Sequence, residues 1–195
     1  MNCKLNWSIS GVVAVTAILT VFATPLHAQS IEEKTEVCAG CHGADGKPID
    51  KTIPTLWGQQ AGYIYIELRD FKRGDRKSDI MRPIASSLER QEMLDIAEYF
   101  SKKPWPNLGQ PSASKAVAER ALGANRSVGC TGCHLDHFQG DGTVPRLAGM
   151  GKDYLTKTMA DFRTRARGNN PGMSDLMLAT SPDDLAALAE YLAGL

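Results

Sequence analysis

Two short stretches constrain this 195-residue chain more than anything else in it: "CAGCH" from Cys38 and "CTGCH" from Cys130. Each places two cysteines three positions apart and follows the second directly with a histidine, His42 or His134. The stretches lie 92 residues apart, and the likeness extends well beyond them. "PTLWGQ" from Pro54 returns as "PRLAGM" from Pro145, and "YIYIELRDFKRGDR" from Tyr63 returns as "YLTKTMADFRTRAR" from Tyr154. "MRPIASSLERQEMLDIAEYF" from Met81 returns as "MSDLMLATSPDDLAALAEYL" from Met173. An offset that stays at 92 or 91 residues throughout means one folding unit used twice, with one residue dropped between His134 and Pro145. Each unit, of roughly 80 residues, is small for a self-sufficient hydrophobic core, so a staple or cofactor is expected in each.

The pattern within each unit is helical. Ile64, Leu68 and Phe71 fall at i, i+4, i+7, as do Leu155, Met159 and Phe162, which makes one apolar helix face. Met93, Ala97 and Phe100 repeat the pattern in the closing helix, matched by Leu185, Ala189 and Leu192. Ser181-Pro182-Asp183-Asp184 starts a helix, and no stretch alternates as a strand would. The units are joined by "SKKPWPNLGQPSASK", whose Pro104, Pro106 and Pro111 cannot continue a helix. Residues 1–28 read as a signal peptide: Lys4, an apolar stretch from Ile9 to Phe22, Pro25, and Ala28 before the cut. An uncleaved membrane anchor is the rival reading, but the stretch is short of the about 20 residues that a span needs. The expected organisation is signal peptide 1–28, first domain 29–103, linker 104–114 and second domain 115–195.

Export removes Cys3 and leaves four cysteines, all of them in the two motifs. An exported pair of cysteines suggests a disulfide, yet a disulfide has no use for a histidine directly after it. Zinc needs about four ligands, and each block supplies three. A redox dithiol expects a βαβ context that is missing here. Haem attachment accounts for every residue. Cys38 and Cys41, or Cys130 and Cys133, sit on one helical turn, and each pair can form two thioethers, one per cysteine, to a porphyrin, while His42 or His134 ligates the iron. Met81 and Met173 each follow their histidine by 39 residues and stand in stretches that read as irregular, so they are the expected sixth ligands. Met/His ligation raises the reduction potential and leaves no open iron position. Met177 lies four residues after Met173 but matches Ala85 of the first copy, so it is expected in the core. Pro54 and Pro145 present carbonyls to which the histidines' other ring N–H can donate, or are simple turn prolines.

These marks resemble class I c-type cytochromes, and their doubling resembles the dihaem cytochrome c4 family, over nearly all of residues 31–195. The resemblance implies an all-α fold of two tandem class I cytochrome c domains. It implies two covalently bound haem c groups and a one-electron carrier in a periplasmic respiratory chain. Partners of that kind are redox proteins: a membrane oxidase, a quinol-oxidising complex or a dehydrogenase, with association at the membrane surface. "HLDHFQGDG" in the second copy departs from "HGADG" in the first. Dihaem subunits of flavin-containing sulfide dehydrogenases resemble the same segments, so a fixed subunit role is the alternative. A haem enzyme is a third reading, disfavoured by two well-placed methionines.

Charge adds an exclusion. Of the charged residues only Lys4 leaves with residues 1–28, so 21 Lys+Arg face 22 Asp+Glu, far from the basic excess of nucleic-acid binders. His137 reads as a solvent-facing loop residue. The basic runs "FKRGDRK" from Phe71 and "FRTRAR" from Phe162 read as solvated helix ends, as docking patches or as partners of haem propionates.

Overall fold

The structure is a computed structural model and describes residue 1 and residues 29–195. The signal peptide expected over residues 1–28 therefore lies outside the described residues, apart from Met1. Nine helices and one isolated bridge make up the secondary structure of the described residues.

The first domain holds α1 (Ile31–His42), α2 (Ala61–Arg73), α3 (Met81–Ser86) and α4 (Arg90–Ser101). Ser30 starts α1 with a capping box: its hydroxyl accepts from the Glu33 amide, and the Glu33 carboxylate accepts from the Ser30 amide. Gly43, at φ 87°, ends it just past His42. α4 lies across α1 and α2, and α3 packs on α2. The second domain repeats this with α5 (Lys115–Val128), α6 (Thr131–His134), α7 (Lys152–Arg163), α8 (Pro171–Ala179) and α9 (Pro182–Ala193). There α9 packs on α5 and α7, and α8 on α7.

The expected apolar faces are the buried ones. Ile64, Leu68, Met93, Ile96, Ala97 and Phe100 form the first core. The second core is larger and includes Leu155, Met159, Leu185, Leu188, Leu192 and Met177. A fully buried side chain of this size contributes about 1.5–3 kcal/mol. Part of the difference comes from the "HLDHFQGDG" stretch. Leu135 and Phe138 both adopt positive φ, 65° and 52°, which turns the Phe138 ring into the core at 3 % exposure. It meets Tyr191 edge to face, with centroids 6.4 Å apart, while its carbonyl accepts from the Leu147 and Ala148 amides. The first domain has no such plug in its shorter loop.

The helix that carries the first cysteine pair runs unbroken through His42, but in the second domain it breaks before Cys130. The cause is one residue. Gly129 sits in the left-handed region at φ 74°, and its counterpart 92 residues earlier is Val37, which stays helical.

The proline-rich segment is strapped to the second domain. Trp105 packs on that domain's core, beneath the Arg146 guanidinium at 4.6 Å. The Gln110 side chain accepts from the Lys152 amide and donates to the Met150 and Ala193 carbonyls. Across the domain boundary, buried Gln59 pairs with the Arg146 backbone much as a peptide group would: its Nε2 donates to the carbonyl at 3.0 Å and its Oε1 accepts from the amide at 2.7 Å.

Candidate haem-binding centres

Cys38, Cys41 and His42 stand together at the end of α1, and Cys130, Cys133 and His134 stand together around α6. No disulfide joins any of the four cysteines. Cys38, Cys41 and Cys130 are half-buried and Cys133 is exposed. Burial pushes the Cys38 and Cys130 thiols up, towards the neutral form, against a smaller opposing backbone hydrogen bond.

Both histidines are buried, at 8 % and 5 % exposure. His42 Nδ1 lies 2.7 Å from the Pro54 carbonyl, and His134 Nδ1 lies 2.9 Å from that of Pro145. A carbonyl only accepts, so each Nδ1 carries the proton and each Nε2 is left with a free lone pair. Burial lowers the pKa of both rings, and the proline carbonyl opposes this only in part. Each imidazole is thus neutral, oriented and ready to bind a metal through Nε2.

Met81 and Met173 are half-buried and pack against the first and second cores. Neither stands in an irregular stretch, contrary to the sequence expectation. Met81 is the first residue of α3, and Met173 the third of α8. Side chains three residues earlier explain this: Met81 N–H donates to Ser78 Oγ and Met173 N–H to Asn170 Oδ1, each at 3.1 Å. Pro171 is the first residue of α8, where its missing N–H is harmless. Arg163 then ties down the far end of α8 by donating to the carbonyls of Met177, Leu178 and Thr180. Met177 is 3 % exposed and belongs to the core.

The donor set tests well against haem. Each centre offers one neutral, carbonyl-oriented imidazole, one half-buried thioether and two thiols.

The sequence pattern of the cytochrome c family matches residues 33–103 and 121–195, once for each domain. The chain is 32% identical over 204 residues to cytochrome c4 of Azotobacter vinelandii, covering 93% of this chain and 97% of that one. The chain belongs to the cytochrome c4 family. It is also 33% identical to the thiosulfate dehydrogenase electron acceptor of Stutzerimonas stutzeri, over 97% of this chain and 95% of that protein. The crystal structure of reduced recombinant cytochrome c4 from Pseudomonas stutzeri superposes with a TM-score of 0.74 at 30% identity, covering 86% of this chain and all of that one. As a cytochrome c4, the chain carries two covalently bound haem c groups and works as an electron carrier with redox partners, not as an enzyme.

Sequence reasoning missed where the two basic runs go. Arg76 and Arg167 turn inward at the domain boundary and meet Glu67, Tyr63 and Tyr154. Their signal was the repeat itself: Tyr63 and Arg76 both recur 91 residues later, as Tyr154 and Arg167. His137 is exposed, as expected of a loop residue.

Proposed function

We propose that Cys38 and Cys41 hold the first haem and Cys130 and Cys133 the second, each S–H adding across a vinyl group to give a thioether. His42 and Met81 would ligate one iron, and His134 and Met173 the other. The observation that carries this reading is the pair of buried histidines, each fixed by a proline carbonyl with Nε2 free. When bound, the haem iron supplies one-electron oxidation and reduction. The chain's own residues do the rest. The proline carbonyls fix each ring's tautomer and orientation, the methionine thioethers favour the reduced state, and the packed cores keep bulk water away.

On this reading the chain is a periplasmic one-electron carrier of a respiratory chain, exported by residues 1–28, with domains 29–103 and 115–195 joined by 104–114. Its partners are a quinol-oxidising complex or dehydrogenase on the donor side and a membrane oxidase on the acceptor side. The similarity to a thiosulfate dehydrogenase electron acceptor along nearly the whole chain favours a second reading, in which the donor is one dedicated dehydrogenase. Both readings use the same two centres. Co-purification of a dehydrogenase with the exported protein selects the second.

The test of the centres is the mass of the exported protein. It should exceed the processed chain by two haems, and acid–acetone should leave the colour on the polypeptide. Cys38→Ser with Cys41→Ser should remove one haem only. Extractable haem, or a gain of one haem in the unaltered protein, contradicts the assignment.

A further inference from the structure

The two domains are related by the repeat, and so are the charged groups between them, with one exception. Tyr63 and Arg76 of the first domain correspond to Tyr154 and Arg167 of the second. Each arginine reaches the tyrosine of the other domain: Arg76 Nη2 to Tyr154 Oη at 3.4 Å, and Arg167 Nη2 to Tyr63 Oη at 3.1 Å. Glu67 breaks the pattern. It lies one helical turn after Tyr63, whereas the residue one turn after Tyr154 is Thr158. Glu67 is therefore one carboxylate serving two arginines. Its Oε2 accepts from Arg76 Nη1 at 2.6 Å, and its Oε1 accepts from Arg167 Nη2. Asn169 of the second domain donates to the same carboxylate at 3.2 Å and to Asp70 at 2.9 Å. Glu67 is 8 % exposed and Arg167 5 %, while Arg76 is half-buried, so Arg167 above all cannot find in water what it would lose with Glu67.

Both arginines stand at the root of a methionine-bearing segment. The Arg76 amide donates to the Asp70 carbonyl, and five residues later the chain reaches Met81. The Arg167 amide donates to the Asp161 carbonyl, and six residues later the chain reaches Met173. The Ser174 hydroxyl bonds back to the Arg167 carbonyl at 3.4 Å, which ties that root directly to the start of α8.

We propose that Glu67 is a positioning residue for both centres at once: its single buried carboxylate, shared by Arg76 and Arg167, couples the segment that carries Met81 to the segment that carries Met173. The proposal rests on Met81 and Met173 as axial ligands. Removing the carboxylate takes away the group that joins the two guanidiniums, of which Arg167 is buried and Arg76 half-buried, and a buried charge that loses its partner is strongly unfavourable. Both segments then loosen, although only the first domain has been altered.

The test uses the ferric holoprotein and cyanide as the probe that displaces methionine. The optical methionine–ferric-iron band reports the rate, and the two shifted methionine methyl signals of the same ferric protein, assigned with Met81→Ala and Met173→Ala, report each domain. Glu67→Gln should speed cyanide binding on the order of ten-fold at both centres, since a charge-assisted bond is lost to each segment. Glu67→Gln with Thr158→Glu moves the carboxylate to the equivalent place in the other domain and should restore slow binding. Arg167→Lys gives the reciprocal arm: a change in the second domain should speed displacement of Met81. Acceleration confined to the first domain, no acceleration at either, or no rescue by Thr158→Glu overturns the proposal. Absence of methionine–iron bands in the unaltered protein overturns instead the axial assignment on which it rests.

Discussion

Met173 and Met177 stand one helical turn apart on α8, yet only one of them is expected to touch iron, and substitution separates them cleanly. Met177 is 3 % exposed within the second core, so Met177→Ala removes buried methylenes and sulfur and leaves a cavity. Such a truncation costs about 2–5 kcal/mol. In a domain of this size that lowers the melting temperature by on the order of 10 °C or more. Met177→Leu nearly conserves volume and should cost less than about 1.5 kcal/mol. Met173 is half-buried, and its amide is capped by Asn170, so Met173→Ala leaves the helix start intact and takes away the thioether. The assay is the absorbance of the methionine–ferric-iron band, read beside a thermal melt. Met173→Ala should abolish the band of the second haem and lower that haem's potential, whereas Met177→Leu should keep both. Loss of the band in Met177→Leu and its survival in Met173→Ala would refute the repeat alignment that assigns the ligand.

The two remaining expectations concern the second domain's loop and the domain boundary. Phe138→Ala should cost about 3–5 kcal/mol and lower the melting transition of the second domain alone, because the Phe138 ring is buried in that core only; an equal loss in both domains would contradict this. Burial pushes the Tyr154 phenol up, but the Arg76 and Arg167 guanidiniums overcome it and pull its pKa down to about 8, while Tyr63 is held above the usual range. An acid lowered in the folded state stabilises fully above its unfolded pKa of about 10, and this contribution is lost as pH falls through about 8. Phenolate absorbance should therefore show an ionisation step near pH 8, and Tyr154→Phe should remove that step.

The parts of the fold that were legible in the sequence are those governed by period and by repetition. Ile64, Leu68 and Phe71 share one buried face because a helix of 3.6 residues per turn brings them together, and the same holds for Leu155, Met159 and Phe162. The contact of each histidine with its proline carbonyl was within reach of the spacing, since His42 and Pro54, and His134 and Pro145, lie within a dozen residues of each other. Features that depend on a single dihedral or on a distant partner were hidden. The break before Cys130 rests on the left-handed conformation of Gly129, and the Phe138 plug rests on two positive φ values in residues that seldom adopt them. The helical setting of Met173 depends on capping by the Asn170 side chain, and that of Met81 goes with a hydrogen bond from its amide to the Ser78 hydroxyl, three residues earlier. Arg76 and Arg167 looked like solvated helix ends because their partners belong to the other half of the chain. Trp105 and Gln110, in a segment that reads as a tether, bind to the second domain through contacts as much as 83 residues away in sequence.

The central claim is that both irons are closed by histidine and methionine and pass single electrons. An optically followed redox titration of the purified holoprotein tests it most directly. Two one-electron steps of equal amplitude should appear, both in the high range that methionine–histidine ligation gives, with the methionine–ferric-iron band rising in step with oxidation of each haem. A single step of half the expected amplitude, or a haem that oxidises at low potential without that band, would contradict it.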